Sequence, residues 1–318
     1  MDLEVFFAGT AGSVPTARRG LPALLIRRGG ERLLFDCGEG TQRQLVASVG
    51  LADLDAIFLT HFHLDHWLGI PGLLKTFALR DRDRRLTVYG PPGLREVLGM
   101  LNPVIGRLPY ELSLVELEAG EPVPGDGYRV APFRVEHRTT RAFGYALVED
   151  ERPGAFDPAE AERLGVTPGP DFGRLQRGET VNGVAPAQVM GPARPGRKIV
   201  ISGDTSPSDA VKVAAHDADL LVHEATFLES ERARAAETRH STARQAAEIA
   251  ADAGARMLAL VHVSTRYFAR DVRDEARATF ADSVVPRDFD AVELPFAERG
   301  EPKLIRWEDR ETEPVETA

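Results

Sequence analysis

A short segment near the start of the chain concentrates side chains that bind metals. Residues 60–74 read THFHLDHWLGIPGLL, so an aspartate and three histidines fall within six positions before the sequence turns apolar. An isolated histidine beside an apolar strand is usually satisfied by a backbone carbonyl. Imidazoles packed this closely would repel one another if they were protonated, and a bound cation would stabilise them. The segment therefore predicts a metal site formed by His61, His63, Asp65 and His66.

Residues with the same ligand chemistry follow predicted strands in distant parts of the chain. Four residues come directly after apolar segments that read as strands: His61, His137, Asp204 and His262. Strand ends on one edge of a sheet pair can converge, and such a rigid edge can hold imidazoles and carboxylates in a cleft open to water. We expect these four side chains to meet there.

The candidate ligands outnumber the four that one zinc ion usually takes, so two metal ions are the expected count. A water held between two ions loses its proton near neutral pH and attacks in line, which suits the hydrolysis of a phosphodiester. The apolar stretch WLGIPGLL is expected to pack as the floor of the site. The expected grouping is His61, His63 and His137 on one ion, Asp65, His66 and His262 on the other, and Asp204 bridging both through its two oxygens.

Composition excludes several classes of protein. Cys37 is the only cysteine, so a disulfide framework and a thiolate-rich metal site are excluded, and Cys37 itself is expected to be a small buried side chain. No apolar run approaches the ~20 residues that a membrane-spanning helix requires. The first residues lack the basic and apolar parts of a signal peptide. We therefore expect a cytoplasmic protein without a membrane partner.

The net charge of −10 argues at first sight against a polyanionic partner. The charge is uneven, however, because residues 271–318 hold 14 acidic and 7 basic residues. The final stretch, WEDRETEPVETA, is expected to be a disordered acidic tail over 307–318, following a catalytic domain over 1–306. The acidic balance therefore does not exclude a nucleic acid as partner.

Predicted strands and helices place the chain in the α/β class. Strand-like segments dominate residues 1–150, whereas strands and helices alternate from KIVISG onward. Ser206 before Pro207 reads as a helix start, and Gly254 reads as a helix end. Such a mixture indicates sheets packed face to face with helices outside.

Residues 152–196 interrupt this pattern. They are rich in proline and glycine and lack a regular apolar period, which predicts an inserted arm. Counted through Lys198, the stretch holds seven basic residues against five acidic ones. On charge alone, an ordinary surface loop explains it equally well.

The motif THFHLDH, with His137 and Asp204 downstream, resembles the metallo-β-lactamase superfamily. Within it, the chain resembles the ribonuclease Z family of endonucleases, which remove the 3′ trailer from precursor tRNA. The resemblance runs from FFAGTAGSVPT to LVHVSTRYF, or most of the chain. The other segments that carry it are LLFDCGEGTQRQL, VEHRTTRAFGYAL, GPDFGRLQRGETV, VISGDT, DLLVHEATF and HSTARQAAEIA.

This resemblance implies a four-layer αββα metallo-β-lactamase sandwich with an inserted flexible arm. It further implies that the arm grips the precursor tRNA, that subunits pair as homodimers, and that cleavage leaves a tRNA 3′-hydroxyl. Two Zn²⁺ ions per subunit are implied, with Mn²⁺ as an alternative metal. The implied ligands are His61, His63, Asp65, His66, His137, Asp204 and His262.

The resemblance also implies how protons move. Asp65 is expected to accept the proton of the attacking water. His240 and Glu224 match a second proton-handling pair, in which His240 acts as general acid for the departing 3′-hydroxyl. An alternative role for His240 is to cap the helix that begins near Ser241.

Other expectations concern residues around the site. His223 is expected to be structural and His216 solvated, while Arg18 and Arg19 are candidates for RNA contacts. The segment FFAGTAGSVPT lacks the lysine of a P-loop and is expected to form a turn near the cleft. Two other functions stay open: a hydrolase of small esters, lactones or phosphodiesters, and a non-catalytic RNA-binding or scaffold protein.

Overall fold

A computed structural model of the protein describes residues 2–51, 53–139 and 141–310. The strands of these residues, most of which coincide with segments that read as strands in the sequence, carry β-branched and aromatic side chains that favour a pleated, buried surface. They are β1 (Leu3–Gly9), β2 (Ala23–Arg28), β3 (Glu31–Phe35), β4 (Ala56–Phe58), β5 (Leu86–Gly90), β6 (Leu112–Glu116), β7 (Val123–Gly125), β8 (Tyr128–Arg134), β9 (Phe143–Glu149), β10 (Lys198–Ile201), β11 (Leu220–Glu224), β12 (Leu258–Val261), β13 (Ser283–Val284), β14 (Ala291–Glu293) and β15 (Lys303–Ile305).

The strands form two sheets of similar design. One has eight strands in the order β15-β14-β1-β2-β3-β4-β5-β6, and the other has seven in the order β13-β12-β11-β10-β9-β8-β7. In each sheet, an antiparallel meander continues into parallel strands, β3 to β6 in the first and β10 to β13 in the second. Strands that run in the same direction place their carboxyl ends on the same edge, and His61, Asp204 and His262 follow such strands. β8, which His137 follows, runs in the same direction as β10 because both pair antiparallel with β9.

Helices cover the outer face of each sheet. The helices are α1 (Thr41–Val46), α2 (Leu64–Trp67), α3 (Ile70–Leu79), α4 (Leu94–Gly99), α5 (Asn102–Ile105), α6 (Pro158–Arg163), α7 (Pro170–Gln176), α8 (Asp209–Ala214), α9 (Arg232–Thr238), α10 (Ala243–Ala253) and α11 (Ala269–Arg277). Of these, α6 and α7 belong to residues 152–196 and pack in a cluster of their own. In the part of the chain that the structure describes, no helix is long and apolar enough to cross a membrane.

Three apolar clusters hold the layers together. One lies between the two sheets and includes the stacked rings of Phe35 and Phe58. A second packs α1, α3 and α4 against the first sheet, and a third packs α8, α10 and α11 against the second. Side chains alternate along a strand, so each sheet contributes to the central cluster and to one outer cluster. The predicted four-layer αββα sandwich is confirmed.

Of the two predicted helix boundaries, one is confirmed. Gly254, with φ 67°, ends α10, and Gly29, with φ 56°, turns the chain from β2 into β3. The predicted helix start at Ser206 is wrong, because α8 begins at Asp209 with Ser208 as its cap. Ser206 instead donates its backbone N–H to the carbonyl of Glu136, which ties the loop to the end of β8.

Residues 152–196 lie between the antiparallel neighbours β9 and β10 and contain α6 and α7. They bury a small apolar cluster of their own, in which Phe156 and Phe172 pack edge to face. Arg152 and Arg194 form a backbone bridge where the segment leaves and re-enters the sandwich. We call residues 152–196 the arm.

The described part of the chain continues four residues past the predicted domain end at 306. Trp307 packs edge to face on Phe289, and Arg310 forms an ion pair with Glu4 at 2.7 Å. The remaining residues of the predicted tail, 311–318, lie outside the described residues.

Candidate metal centre

The predicted ligand residues come together at one edge of the sandwich in two groups. The first is His61, His63, His137 and Asp204, and the second is Asp65, His66 and His262. Within each group, one ligand atom of every residue lies within 4.8 Å of the others. A third possible ligand group, Asp204, His240 and His262, overlaps both. The seven predicted ligands thus lie together, and their division between two ions stays a prediction.

Asp204 lies between the groups. Its Oδ2 is 3.8 Å from His61 Nε2 and 3.9 Å from His137 Nε2 in the first group. The same oxygen is 3.4 Å from the Nε2 atoms of both His66 and His262 in the second. These shared contacts all reach Oδ2, whereas the sequence predicts a bridge through both carboxylate oxygens.

The orientation of two imidazole rings, those of His66 and His137, is fixed by hydrogen-bond acceptors on the side away from the centre, which accept from Nδ1–H. His66 donates Nδ1–H to Asp36 Oδ2 at 2.7 Å, and His137 donates its own to the carbonyl of Arg239 at 2.9 Å. A neutral imidazole that donates from Nδ1 carries its lone pair on Nε2. Both rings therefore present a metal-binding nitrogen to the centre.

Two threonines act in the same way through their hydroxyl groups. Thr60 Oγ1 donates to Asp36 and lies 3.0 Å from His61 Nδ1. Thr226 Oγ1 donates to a carboxylate oxygen of Glu224 and lies 2.7 Å from His262 Nδ1. Each hydroxyl proton is already given away, so the oxygen accepts Nδ1–H from the histidine.

The resulting donor set fits a metal. Among the described residues, His61 Nε2 and His66 Nε2 are buried and have no hydrogen-bond partner. Buried polar atoms almost always have a hydrogen-bond partner, so these two unpartnered nitrogens indicate a cation site. Imidazole nitrogens with carboxylate oxygens suit zinc, and also manganese or iron.

The charges of the site are consistent with cation binding. Burial lowers the pKa of His61 well below its ordinary value, so that the ring is neutral and free to ligate. Burial also opposes a charge on His66, but Asp204 and Asp36 outweigh it and raise its pKa well above the ordinary value. The two carboxylates that attract this proton attract a metal ion equally, and metal binding would displace the proton.

A glycine-containing loop borders the second group, as predicted for FFAGTAGSVPT. Ser13 donates its backbone N–H to Asp65 Oδ2 at 3.0 Å. A Cβ on Gly12 would lie 2.5 Å from His262 Nδ1, so only glycine fits against that ring. Arg19, a predicted RNA contact, donates to the carbonyl of Pro286, which lies between β13 and β14.

The floor of the site is the apolar segment after the first histidines. Ile70, Leu73 and Leu74 are buried in the cluster beneath the first sheet, together with Cys37. A Cβ on Gly69 would lie 2.1 Å from the carbonyl oxygen of Gly38, which explains the glycine. Burial raises the pKa of Cys37 to about 12, so it is the inert thiol that the sequence predicts.

His240 lies beside both groups and pairs with Glu224. Its Nδ1 is 2.8 Å from Glu224 Oε1 and 3.9 Å from Asp204 Oδ2. Burial disfavours its charge, but the Glu224 carboxylate outweighs burial and raises the pKa of His240 to about 9. The alternative role as a helix cap is wrong, because Thr242 caps α10 in a capping box with Gln245.

Relatives in other organisms decide the family. The chain is 46% identical over 311 residues to ribonuclease Z of Halorubrum lacusprofundi, covering 95% of this chain and 100% of the relative. It is 47% identical over 308 residues to ribonuclease Z of Gemmatimonas aurantiaca, covering 94% and 98%. The chain belongs to the ribonuclease Z family. A family model described as beta-lactamase superfamily domain also matches residues 31–162.

Solved structures agree with this assignment. Human tRNase Z, short form, is 28% identical, with a TM-score of 0.67 over 92% of this chain and 99% of that one. The metallo-beta-lactamase fold protein YhfI from Bacillus subtilis has a TM-score of 0.68 over 92% and 100%. At 19% identity, YhfI supports the fold alone. The predicted ribonuclease Z resemblance is confirmed.

Three residues around the metal centre were missed from the sequence: Asp36, Thr60 and Thr226. Asp36 follows β3 within LLFDCG, so its position after a strand was the same signal that identified the ligands. The threonines offered no such signal, because a hydroxyl that orients a histidine resembles any other buried hydroxyl in the sequence. His223 is buried in β11, and His216 is mostly exposed, as predicted.

The role of Asp36 can be tested with Asp36→Asn. An amide nitrogen facing His66 Nδ1–H would favour the other tautomer, which places the proton on Nε2. We expect the affinity for zinc to fall by about 10- to 100-fold, as measured by competition with a chromogenic chelator. Asp252→Asn, at an ion pair with Lys212 in which both side chains are exposed, is the control and should leave zinc affinity unchanged.

Proposed function

We propose that the protein is a di-zinc endoribonuclease that removes the 3′ trailer from precursor tRNA and leaves a 3′-hydroxyl on the tRNA. The observation that carries this proposal is the His240–Glu224 pair 3.9 Å from Asp204, beside two groups of metal ligands. A nucleophile site and a proton donor for the leaving oxygen thus share one cleft. The relatives named ribonuclease Z support this choice of substrate.

The proposed ligands are His61, His63 and His137 for one ion, Asp65, His66 and His262 for the other, and Asp204 between them. When bound, the ions would supply a nucleophilic water at neutral pH and neutralise charge on the attacked phosphate. Manganese would serve the same chemistry.

The protein residues move the protons. Burial opposes ionisation of Asp65, but contacts from His262 and His66 outweigh it and lower its pKa, so that the carboxylate is anionic and can accept the proton of the attacking water. His240 carries a proton at neutral pH and can give it to the departing 3′ oxygen. Glu224 positions His240 and stabilises its protonated form.

The direct test is cleavage of a precursor tRNA carrying a 3′ trailer. Purified protein with zinc or manganese should release the trailer in one piece and leave a ligatable 3′-hydroxyl on the tRNA. Cleavage should stop on addition of a chelator and return with metal. An intact precursor after metal loading would contradict the proposal.

We propose that the arm binds the body of the tRNA, away from the cut. Its place between β9 and β10 lets it extend from the sandwich without interrupting either sheet. Glu298 holds the two ends of the arm together, because its Oε1 lies 2.7 Å from Arg152 Nη1 and 3.2 Å from Arg194 Nη1. Arg152 also stacks on Phe296 at 3.5 Å from the ring centroid.

Deleting residues 155–190 should separate RNA recognition from chemistry. The ends can be joined, because Gly154 and Gly191 lie against each other. We expect kcat/KM for precursor tRNA to fall by at least about 100-fold, the equivalent of roughly 3 kcal/mol of lost substrate contacts. Hydrolysis of bis(4-nitrophenyl) phosphate should change by less than about twofold. Parallel loss of both activities would indicate misfolding or a small natural substrate.

We also propose that two copies associate and that the protein acts in the cytoplasm, where precursor tRNA is present in bacteria and archaea. Exposed apolar side chains on the helices over the first sheet support a contact between copies: Leu64, Leu68, Leu79, Met100 and Val104. Light scattering at micromolar concentration should give twice the mass of the chain. A monomer would contradict the association.

A further inference from the structure

The cations of the arm are engaged by its own carboxylates and by the sandwich. Five arginines lie within residues 152–196, and each has an acidic partner. Arg163 contacts Glu160, Arg174 contacts Asp171 and Glu179, Arg177 contacts Glu179, and Arg152 and Arg194 contact Glu298. The excess of positive charge expected from the sequence is therefore not presented as free guanidinium groups.

Glu179 engages two of these arginines at once. Its Oε2 accepts from Arg174 Nε at 2.9 Å, and its Oε1 lies 3.5 Å from Arg177 Nε. Both arginines are on the surface, with side-chain exposures of 46% and 65%. They lie at the end of α7 in the segment GPDFGRLQRG, where a large polyanion can reach them.

Glu160 holds a single arginine, Arg163 on α6, with both of its carboxylate oxygens. Its two carboxylate oxygens accept from Nε and Nη2 of Arg163, at 2.6 and 2.5 Å. This two-point geometry is the one that a guanidinium also offers to a phosphate group. A phosphate of the RNA and the carboxylate of Glu160 would therefore compete for the same face of Arg163.

We propose that Glu179 and Glu160 are internal competitors of the tRNA backbone, which hold the arm arginines in the free protein and weaken tRNA binding. The inference rests on the proposed function, because it takes the ligand of the arm to be RNA. Exposed ion pairs contribute only up to about 1 kcal/mol, so phosphates can displace them. The carboxylates thereby limit the affinity of the arm for RNA backbones in general.

The test is a gain of affinity in Glu179→Gln. The amide keeps the shape of the side chain but releases Arg177 and leaves Arg174 only its contact with Asp171 at 3.3 Å. We expect KM for precursor tRNA and the Kd for mature tRNA to fall by about two- to fivefold. The dependence of Kd on salt should become steeper, since more phosphate contacts form. The kcat for precursor tRNA and the hydrolysis of bis(4-nitrophenyl) phosphate should not change.

Glu162→Gln is a matched control. Glu162 lies on α6 near Glu160, is exposed, and makes no ion pair among the residues that the structure describes. This variant removes one negative charge from the arm, on the same helix as Glu160, without releasing an arginine. KM should therefore change by much less than in Glu179→Gln. Glu160→Gln should behave like Glu179→Gln and provides a second, independent variant.

The outcomes separate this inference from the proposed function. Equal effects of Glu162→Gln and Glu179→Gln would overturn it, because the general charge of the arm would then explain the change. A higher KM in Glu179→Gln would also overturn it, since the carboxylate would then orient the arginines for RNA. If the unmodified protein does not cleave precursor tRNA at all, the proposed function fails first.

Discussion

Asp204→Asn should reduce kcat/KM for precursor tRNA by about 1000-fold or more. One oxygen of Asp204 lies within 3.9 Å of imidazole nitrogens from both ligand groups. An amide removes the negative charge that the two groups share, and charge stabilisation of this kind contributes several kcal/mol to catalysis. The loss should be accompanied by a lower metal content, measured by mass spectrometry on purified protein.

Asp209→Asn serves as the control for this variant. It makes the same chemical change five residues away, on the exposed first turn of α8, and should retain full activity and metal content. If Asp204→Asn kept two equivalents of metal and near-normal cleavage, the proposed bridging role would be wrong. Excess zinc or manganese in the assay tests whether lost activity reflects metal binding alone.

His240→Ala should lower kcat for precursor tRNA by about 100- to 10,000-fold. The departing ribose 3′ oxygen is strongly basic and needs a proton as its bond to phosphorus breaks. The same variant should hydrolyse bis(4-nitrophenyl) phosphate within about tenfold of the unmodified rate, because nitrophenolate leaves without protonation. This dependence on the leaving group distinguishes a general acid from a residue that merely supports the site.

The pH dependence adds a second readout for the same residue. Glu224 raises the pKa of His240, so weakening this contact should lower that pKa and move the alkaline limb of the kcat profile to lower pH. Glu224→Gln makes that change, although Glu224 also accepts backbone N–H groups from Thr205, Thr226 and Ser241. Melting temperature should therefore be measured alongside. An unshifted alkaline limb in a folded Glu224→Gln protein would exclude His240 as the titrating acid.

Much of the centre was predictable because ligands follow strands. His61, His137 and Asp204 each lie three residues beyond a strand, and His262 follows β12 at once. Apolar strands are readily recognised, and parallel neighbours bring their ends to one edge, so a linear pattern specified a three-dimensional cluster. The family resemblance supplied the layer architecture, which periodicity alone gave only as sheets with helices outside.

The features of the site that could not be predicted depend on hydrogen bonds and ion pairs between residues that are distant in the sequence. The hydrogen bond from His137 to the carbonyl of Arg239 spans 102 residues and involves a backbone atom, so no side-chain pattern announces it. Likewise, the residues that pair with Arg19 and with the arm arginines decide whether those cations are free. Counting charges overestimated what residues 152–198 present to RNA, because a count contains no information on pairing.

The backbone bridge at the two ends of the arm affects how substrate choice can change. Arg152 and Arg194 are backbone neighbours, so the whole segment between them is topologically an elongated hairpin connection between β9 and β10. Such a connection can be shortened, lengthened or exchanged while the register of both strands is kept. Exchanging this one connection can therefore change which polymer the protein binds, while the metal centre and its chemistry stay the same.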